Sequence, residues 1–214
     1  MPELTVRKPP VSIDKPEEDQ GDWYDGETIK YFSMDEAERL LASVNAWYQL
    51  VYLLLFETAC RIQEAREIRI RDMDFKSNKI KVTTLKQRRS AFRVLVISDR
   101  LKAMILKHQL EKILSPSDYI LAQGPGQKAV SRQVVRQSML RHCRVLGIEP
   151  DKAKPHTWRH TRAIQLLESG EIDVVRLKDF LGHRSLASTL IYVKFSNKHI
   201  TEAVQRANLK LGLN

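Results

Sequence analysis

Hydrophobic positions are sparse and without period over residues 1–32, where Pro2, Pro9, Pro10 and Pro16 stand among scattered acidic side chains. A segment of that kind lacks the apolar surface to order itself and reads as a flexible leader. The pattern changes at Ser33. Ser33 followed three residues later by Glu36 is a capping-box signature, and Ala37, Leu40, Leu41 and Val44 then recur at helical spacing. The spacing predicts one folded domain over residues 33–214. A second helix covers Trp47 to Thr58, and a third starts near Arg61 and carries Glu64, Ala65 and Ile68.

The period then shortens. Ile80 to Leu85 and Phe92 to Ile97 are β-branched or alternating, and the polar stretch Lys86 to Ser90 between them reads as a hairpin turn. Helical spacing resumes over Arg100–Leu114, Ser131–Leu146, Thr157–Ser169 and Asp173–Leu181, the last three each followed by or ending at a glycine stop. A narrow apolar stripe of Ile200, Ala203, Val204, Ala207 and Leu211 suggests a tail helix. No internal repeat is visible. The fold class is therefore mostly α with a small antiparallel β-sheet.

Composition narrows the function. The 214 residues carry 36 basic and 26 acidic side chains, a formal net charge of +10. Residues 1–30 hold four of the basic and eight of the acidic ones, which leaves 32 against 18, or +14, on the rest. That imbalance suits a polyanionic partner such as nucleic acid, although a solvated basic surface would produce it too. The longest nearly apolar run, Trp47 to Phe56, is interrupted by Gln49 and is far shorter than the ~20 residues of a membrane span. With no secretory signal and only Cys60 and Cys143, a reducing cytoplasm is the expected setting.

Three separated clusters hold groups suited to phosphoryl transfer without a metal. They are Thr58-Ala59-Cys60-Arg61-Ile62-Gln63-Glu64, then Pro155-His156-Thr157-Trp158-Arg159-His160, then Leu181-Gly182-His183 with Tyr192 nine residues beyond. Each has a plain structural explanation. Arg61 and Glu64 at i,i+3 suit a helix ion pair, His156 suits a cap, and an isolated tyrosine is ordinarily packing. Nothing has zinc-ligand spacing, and no glycine-rich nucleotide loop is present, so no cofactor is expected.

In this order the clusters resemble the tyrosine recombinase and integrase family, which includes phage integrases and Xer-type recombinases; the likeness runs from Tyr31 to Asn197. Its most specific parts are His156-x-x-Arg159 and Leu181-Gly182-His183 followed by Tyr192. The resemblance implies a recombinase catalytic domain that cuts and rejoins double-stranded DNA, by chemistry like that of type IB topoisomerases. Arg61 and Arg159 would clamp the scissile phosphate, His156 and His183 would donate hydrogen bonds or move protons, and Tyr192 would attack phosphorus to leave a 3′-phosphotyrosine. Lys86 matches the hairpin lysine that protonates the departing 5′ oxygen, though it also suits a plain solvated turn. Glu64 would orient Arg61, His160 would support the site from behind, and Arg88, Arg89 and Arg184 would touch DNA.

The sequence departs from the family pattern in places. Ala59 stands where glycine is common, Ile70 where tryptophan is common, and the leader is too short for the separate core-binding domain that usually precedes the catalytic one. Family members commonly dock the C-terminal segment on a neighbouring subunit, whereas the tail stripe would equally suit packing on its own domain. One alternative in another class stays open: a DNA-binding regulator that keeps this fold without turnover. A helix-turn-helix repressor would explain the charge but not the ordered clusters.

Overall fold

The computed structural model describes residues 29–84 and 91–196, with 208, 209 and 212 as isolated positions. Helix α1 (Met34–Ser43) begins on the expected capping box: the Ser33 hydroxyl accepts from the Glu36 amide at 3.1 Å, and Glu36 accepts from the Ser33 amide at 2.8 Å. Ala37, Leu40 and Leu41 form its buried face. Helix α2 (Ala46–Thr58) is capped by Asn45 and buries the whole run Leu50–Leu55, so it is apolar on every side and becomes the central element. Helix α6 (Pro155–Glu168), opened by a proline in its first turn, lies against it, and the aromatic rings of Tyr52, Phe56 and Phe32 gather around the buried Trp158.

The folded region starts earlier than the periodicity indicates. Ile29 and Phe32, assigned to the leader from sequence, are buried, and the Phe32 amide donates to the Thr161 hydroxyl at 2.9 Å. Four residues are too few to show a period, so their docking on α6 was invisible in the pattern. Residues 1–28 lie outside the described part.

Helix α2 ends at Ala59, which takes a left-handed conformation (φ 44°, ψ 26°) that glycine adopts without penalty. This accounts for the glycine common at that place in the family pattern. Arg61 then caps the short helix α3 (Ile62–Glu67). The sheet has three antiparallel strands in the order β1 (Met73–Asp74), β2 (Lys79–Thr84), β3 (Ala91–Val96), with Ile80 opposite Leu95 and Thr84 opposite Ala91. The two-residue β1 was not evident from sequence, and residues 85–90, which join β2 to β3, are not described. Helices α4 (Asp99–Lys112) and α5 (Arg132–Val145) close the main core, Tyr52 donating to Ser138 across the α2 and α5 contact at 2.8 Å.

A second, smaller core packs beside the first. Helix α7 (Val174–Leu181) stops at Gly182 in the left-handed region (φ 69°), and α8 (Ala187–Ser196) folds back on α6. Ala59, Ala163, Ile164, Leu177, Leu181 and Ile29 bury one another there, and Tyr192 is packed among them. The tail stripe of Ile200, Ala203, Val204, Ala207 and Leu211 lies outside the described residues. Among the described residues, no helix is long and apolar enough to cross a membrane.

Candidate active site

Helix α6 presents His156, Arg159 and His160 at i, i+3 and i+4, a spacing that puts all three on one face. That face meets the end of α2 on one side and the α7–α8 junction on the other. Arg159 joins them: its Nη1 donates to the Ala59 carbonyl at 2.6 Å and its Nη2 to the Leu181 carbonyl at 2.9 Å. Both carbonyls are left over from helix ends, and a planar guanidinium offers each its own nitrogen, where an ammonium must serve both from one point. Arg159 is 1% exposed, and burial followed by the neighbouring charge of Arg61 lowers its pKa to about 10, so it stays cationic at neutral pH.

Tyr192 on α8 is also 1% exposed, and its hydroxyl lies 2.9 Å from Nδ1 of His160. The His183 ring stacks parallel to the Tyr192 ring at 6.5 Å, and the His156 ring meets His160 edge-on at 4.8 Å. His183 is held from its other side, Nδ1 standing 2.8 Å from the buried Thr189 hydroxyl. These four rings, with Ile29 and Ile191, line a pocket of about 360 Å3, ample for one phosphodiester group.

The electrostatics follow from burial beside cations. Desolvation, then the charge of Arg159, takes His160 and His183 down to about 3, and desolvation with His160 and Arg159 takes His156 well below its ordinary value. All three imidazoles are therefore neutral at pH 7, each with one donor and one acceptor nitrogen. Burial raises the Tyr192 phenol, and the positive charges of Arg159 and Arg61 offset only part of that rise.

Arg61 sits at the head of α3 with 22% of its side chain exposed. Glu64 accepts both its main-chain amide (3.0 Å) and its guanidinium (3.2 Å), so the expected orienting contact is present in the geometry. Glu64 is 2% exposed. Burial pushes its carboxyl up, yet Arg93, the Arg61 amide and Arg159 more than offset this and hold it below the usual range. Arg93 on β3 is a member of this cluster that the sequence motifs did not single out; its Nη2 lies 2.9 Å from Glu64. Arg184 is exposed beside His183, while Lys86, Arg88 and Arg89 lie outside the described residues.

His160, expected to support the site from behind, touches the Tyr192 oxygen itself. Among the described residues no group of three His, Cys, Asp or Glu is arranged to hold a metal ion.

Comparison with known proteins shows the family and the fold. The model of the Phage integrase family matches residues 30–199. The tyrosine recombinase XerA of Pyrococcus furiosus is 32% identical over 163 residues, covering 75% of this chain and 54% of that protein. The chain thus spans about half the length of that relative. Among solved structures, the catalytic domain of bacteriophage HP1 integrase has a TM-score of 0.60 at 24% identity, over 86% of this chain and 98% of that one. XerH site-specific recombinase bound to palindromic difH substrate has a TM-score of 0.68 at 20% identity, over 82% of this chain and 52% of that one.

Proposed function

Because the chain belongs to the phage integrase family of tyrosine recombinases, we propose that it cuts and rejoins double-stranded DNA through a 3′-phosphotyrosine at Tyr192. The observation that carries this reading is the convergence of three distant clusters at one guanidinium. Arg159 donates to Ala59 of the first and Leu181 of the third, while His160 beside it holds the Tyr192 hydroxyl. XerH, of the same fold, is bound to its difH DNA substrate in a post-cleavage complex.

The charge of the site suits the reaction. Three guanidinium groups, Arg61, Arg93 and Arg159, face one carboxylate, Glu64, among neutral imidazoles, which leaves two net positive charges. A phosphodiester carries one negative charge. Attack by a phenolate adds a second in the five-coordinate transition state, so the match is better there than in the ground state. In the proposed step the Tyr192 oxygen bonds to phosphorus and its proton passes to an adjacent neutral imidazole, His160 being 2.9 Å away. The bond from phosphorus to the 5′ oxygen breaks, and that oxygen takes its proton from Lys86. Attack of the 5′ hydroxyl of a partner strand reverses these transfers and rejoins the DNA.

Arg88, Arg89 and Arg184 are read as DNA contacts, and the segment after Tyr192 as a docking element for a neighbouring subunit on DNA. DNA as substrate puts the working protein in the cytoplasm, where the two free buried thiols would remain reduced.

The test begins with duplexes selected by binding from a random pool. A nick placed near the cut site lets the released fragment diffuse away and traps the covalent complex. The wild-type protein should form an adduct stable to detergent, and Tyr192→Phe should bind the same duplex within about twofold and form none. Tight binding without any wild-type adduct would instead favour a DNA-binding regulator of this fold.

A further inference from the structure

Thr189, in the first turn of α8, is a fully buried polar residue to which the proposed reaction gives no part. Its Oγ1 stands 2.8 Å from Nδ1 of His183, across the junction of α7 and α8. The main chain of His183 is held separately, its amide donating to the Lys178 carbonyl at 3.0 Å in the stop of α7, so the ring is what Thr189 restrains. Tyr192 follows Thr189 by three residues on the same helix, and its ring lies parallel to that of His183 at 6.5 Å.

The direction of this hydrogen bond follows from what each group has left over. A buried threonine in a helix commonly sends its hydroxyl proton to a carbonyl one turn back, as Thr58 does to Leu54 and Thr161 to Thr157. Among the described residues Thr189 makes no such bond, and Nδ1 of His183 is the one partner of its hydroxyl. If Nδ1 carried a proton and donated it, the threonine proton would be buried without an acceptor. With Nδ1 as acceptor the hydroxyl is satisfied. The ring is neutral at pH 7, since burial and then Arg159 take its pKa to about 3, so its single proton must then lie on Nε2. We propose that Thr189 is a positioning residue whose hydroxyl donates to Nδ1 of His183 and so fixes the Nε2–H tautomer, leaving that N–H as the ring's donor into the pocket.

The assignment divides the work among the rings, a consequence that rests on the recombinase reading of the site. His183 lines the pocket together with Ser188 and Tyr192. An Nε2–H there donates to a phosphate oxygen as charge develops on it, but that nitrogen cannot accept a proton. Acceptance of the Tyr192 proton then falls to His160, whose Nδ1 is 2.9 Å from the hydroxyl. Space filling accounts for a threonine at this position less well, since valine has the same shape and brings no hydroxyl to satisfy.

The tautomer is read in the DNA-free protein, from the nitrogen NMR shifts of the His183 ring and their couplings to its carbon-bound protons, with His183→Ala assigning the signals. Wild type should show Nε2 protonated and Nδ1 bare. Thr189→Val, which keeps the shape without the hydroxyl, should show the averaged shifts of two exchanging tautomers. Thr189→Ser, which keeps the hydroxyl and loses a methyl, should retain the wild-type pattern. Cleavage is then followed in single turnover on a nicked duplex with sulfur in place of the bridging 5′ oxygen, a leaving group that departs without a proton donor. Thr189→Val should be at least about tenfold slower with duplex affinity within about threefold, and Thr189→Ser should stay within about threefold of the wild-type rate. Because the effect passes through the imidazole, Thr189→Val should add less than about twofold to the loss already caused by His183→Ala.

The two substitutions separate the hydroxyl from the packing. If Thr189 only fills space, Thr189→Ser is the more damaging change in melting temperature and rate alike, and the tautomer is the same in all three proteins; that result overturns the positioning role. A wild-type spectrum with the proton on Nδ1 overturns it as well, and so does a Thr189→Val variant that cleaves at the wild-type rate. Should Thr189→Val fail to fold, the other two proteins carry the test: Nε2–H in both supports the role, and Nδ1–H in either overturns it. Absence of any adduct from wild type overturns the recombinase reading and the donation to phosphate, while the spectra still decide whether Thr189 sets the tautomer.

Discussion

Replacing Arg159 by lysine separates the two duties that the guanidinium combines. The ammonium keeps the charge but reaches one acceptor where the fork reaches two, so either the Ala59 or the Leu181 carbonyl loses its donor. A hydrogen bond from a charged group is worth about 1.5–3 kcal/mol, and the stranded buried carbonyl adds a desolvation penalty of about 1–3 kcal/mol. Lysine recovers part of this by relaxing toward the remaining carbonyl, so the net loss should be about 3 kcal/mol. For a domain of this size that corresponds to a fall in melting temperature of about 6–12 °C. In urea, with a slope of about 2 kcal/mol per molar, the midpoint should move down by about 1.5 M. Cleavage should fall further than folding explains, by about 100- to 1000-fold under conditions where the variant is fully folded, because one of two parallel donors to the phosphate is gone. Circular dichroism in urea gives the first quantity and trapping of the covalent complex the second. A midpoint within 0.3 M of wild type, taken as roughly the resolution of such a titration, would refute the claim that Arg159 fastens the end of α2 to the α7–α8 junction. A wild-type cleavage rate would refute the phosphate clamp.

Stability should fall with acid well above the carboxylate range. The folded-state pKa values of His160 and His183, about 3, and that of His156 lie below the unfolded value, so below about pH 6.5 the unfolded chain binds more protons and the urea midpoint drops toward pH 3; His160→Gln should flatten that profile. Duplex affinity should fall steeply with salt, and Arg61→Ala should reduce the slope of log affinity against log salt by about one. For Ala59→Gly, relief of left-handed strain, about 1–2 kcal/mol, opposes the loss of a buried methyl, about 0.8 kcal/mol, and the added freedom of the unfolded chain, about 0.4–1 kcal/mol. Thermal unfolding should therefore place the variant within about 1 kcal/mol of wild type.

Most of the fold was legible because its helices carry their own punctuation. The Ser33 and Glu36 box and the stop at Gly182 put boundaries within a residue or two of those observed. The clustering on α6 was equally legible, since His156, Arg159 and His160 share one helical face whatever else surrounds them. Arg93 was not. Both parities of β3 are apolar, with Phe92, Val94 and Val96 outside and Leu95 and Ile97 inside, so the alternation alone does not say which way the arginine points. His160 was read as a supporting residue because contact with Tyr192 depends on how α8 returns over α6, a long-range packing event with no local signature. The same holds for Ile29 and Phe32, whose burial is decided by a groove on α6 rather than by their neighbours in sequence.

The burial of Tyr192 bears on how such a protein would search a chromosome. A DNA-cutting protein meets vast numbers of wrong phosphates for each right one, and every encounter is an opportunity to nick. On the proposed reading, the oxygen that would attack is protonated, nearly buried and in contact with His160, and Arg159 is itself buried. On that reading a passing duplex meets the partly exposed Arg61 before it meets Tyr192 or Arg159. A brief, loose encounter with Arg61 alone would then end in departure. Discrimination between sites is then exercised twice: once in how long the protein stays, and again in whether its tyrosine is released.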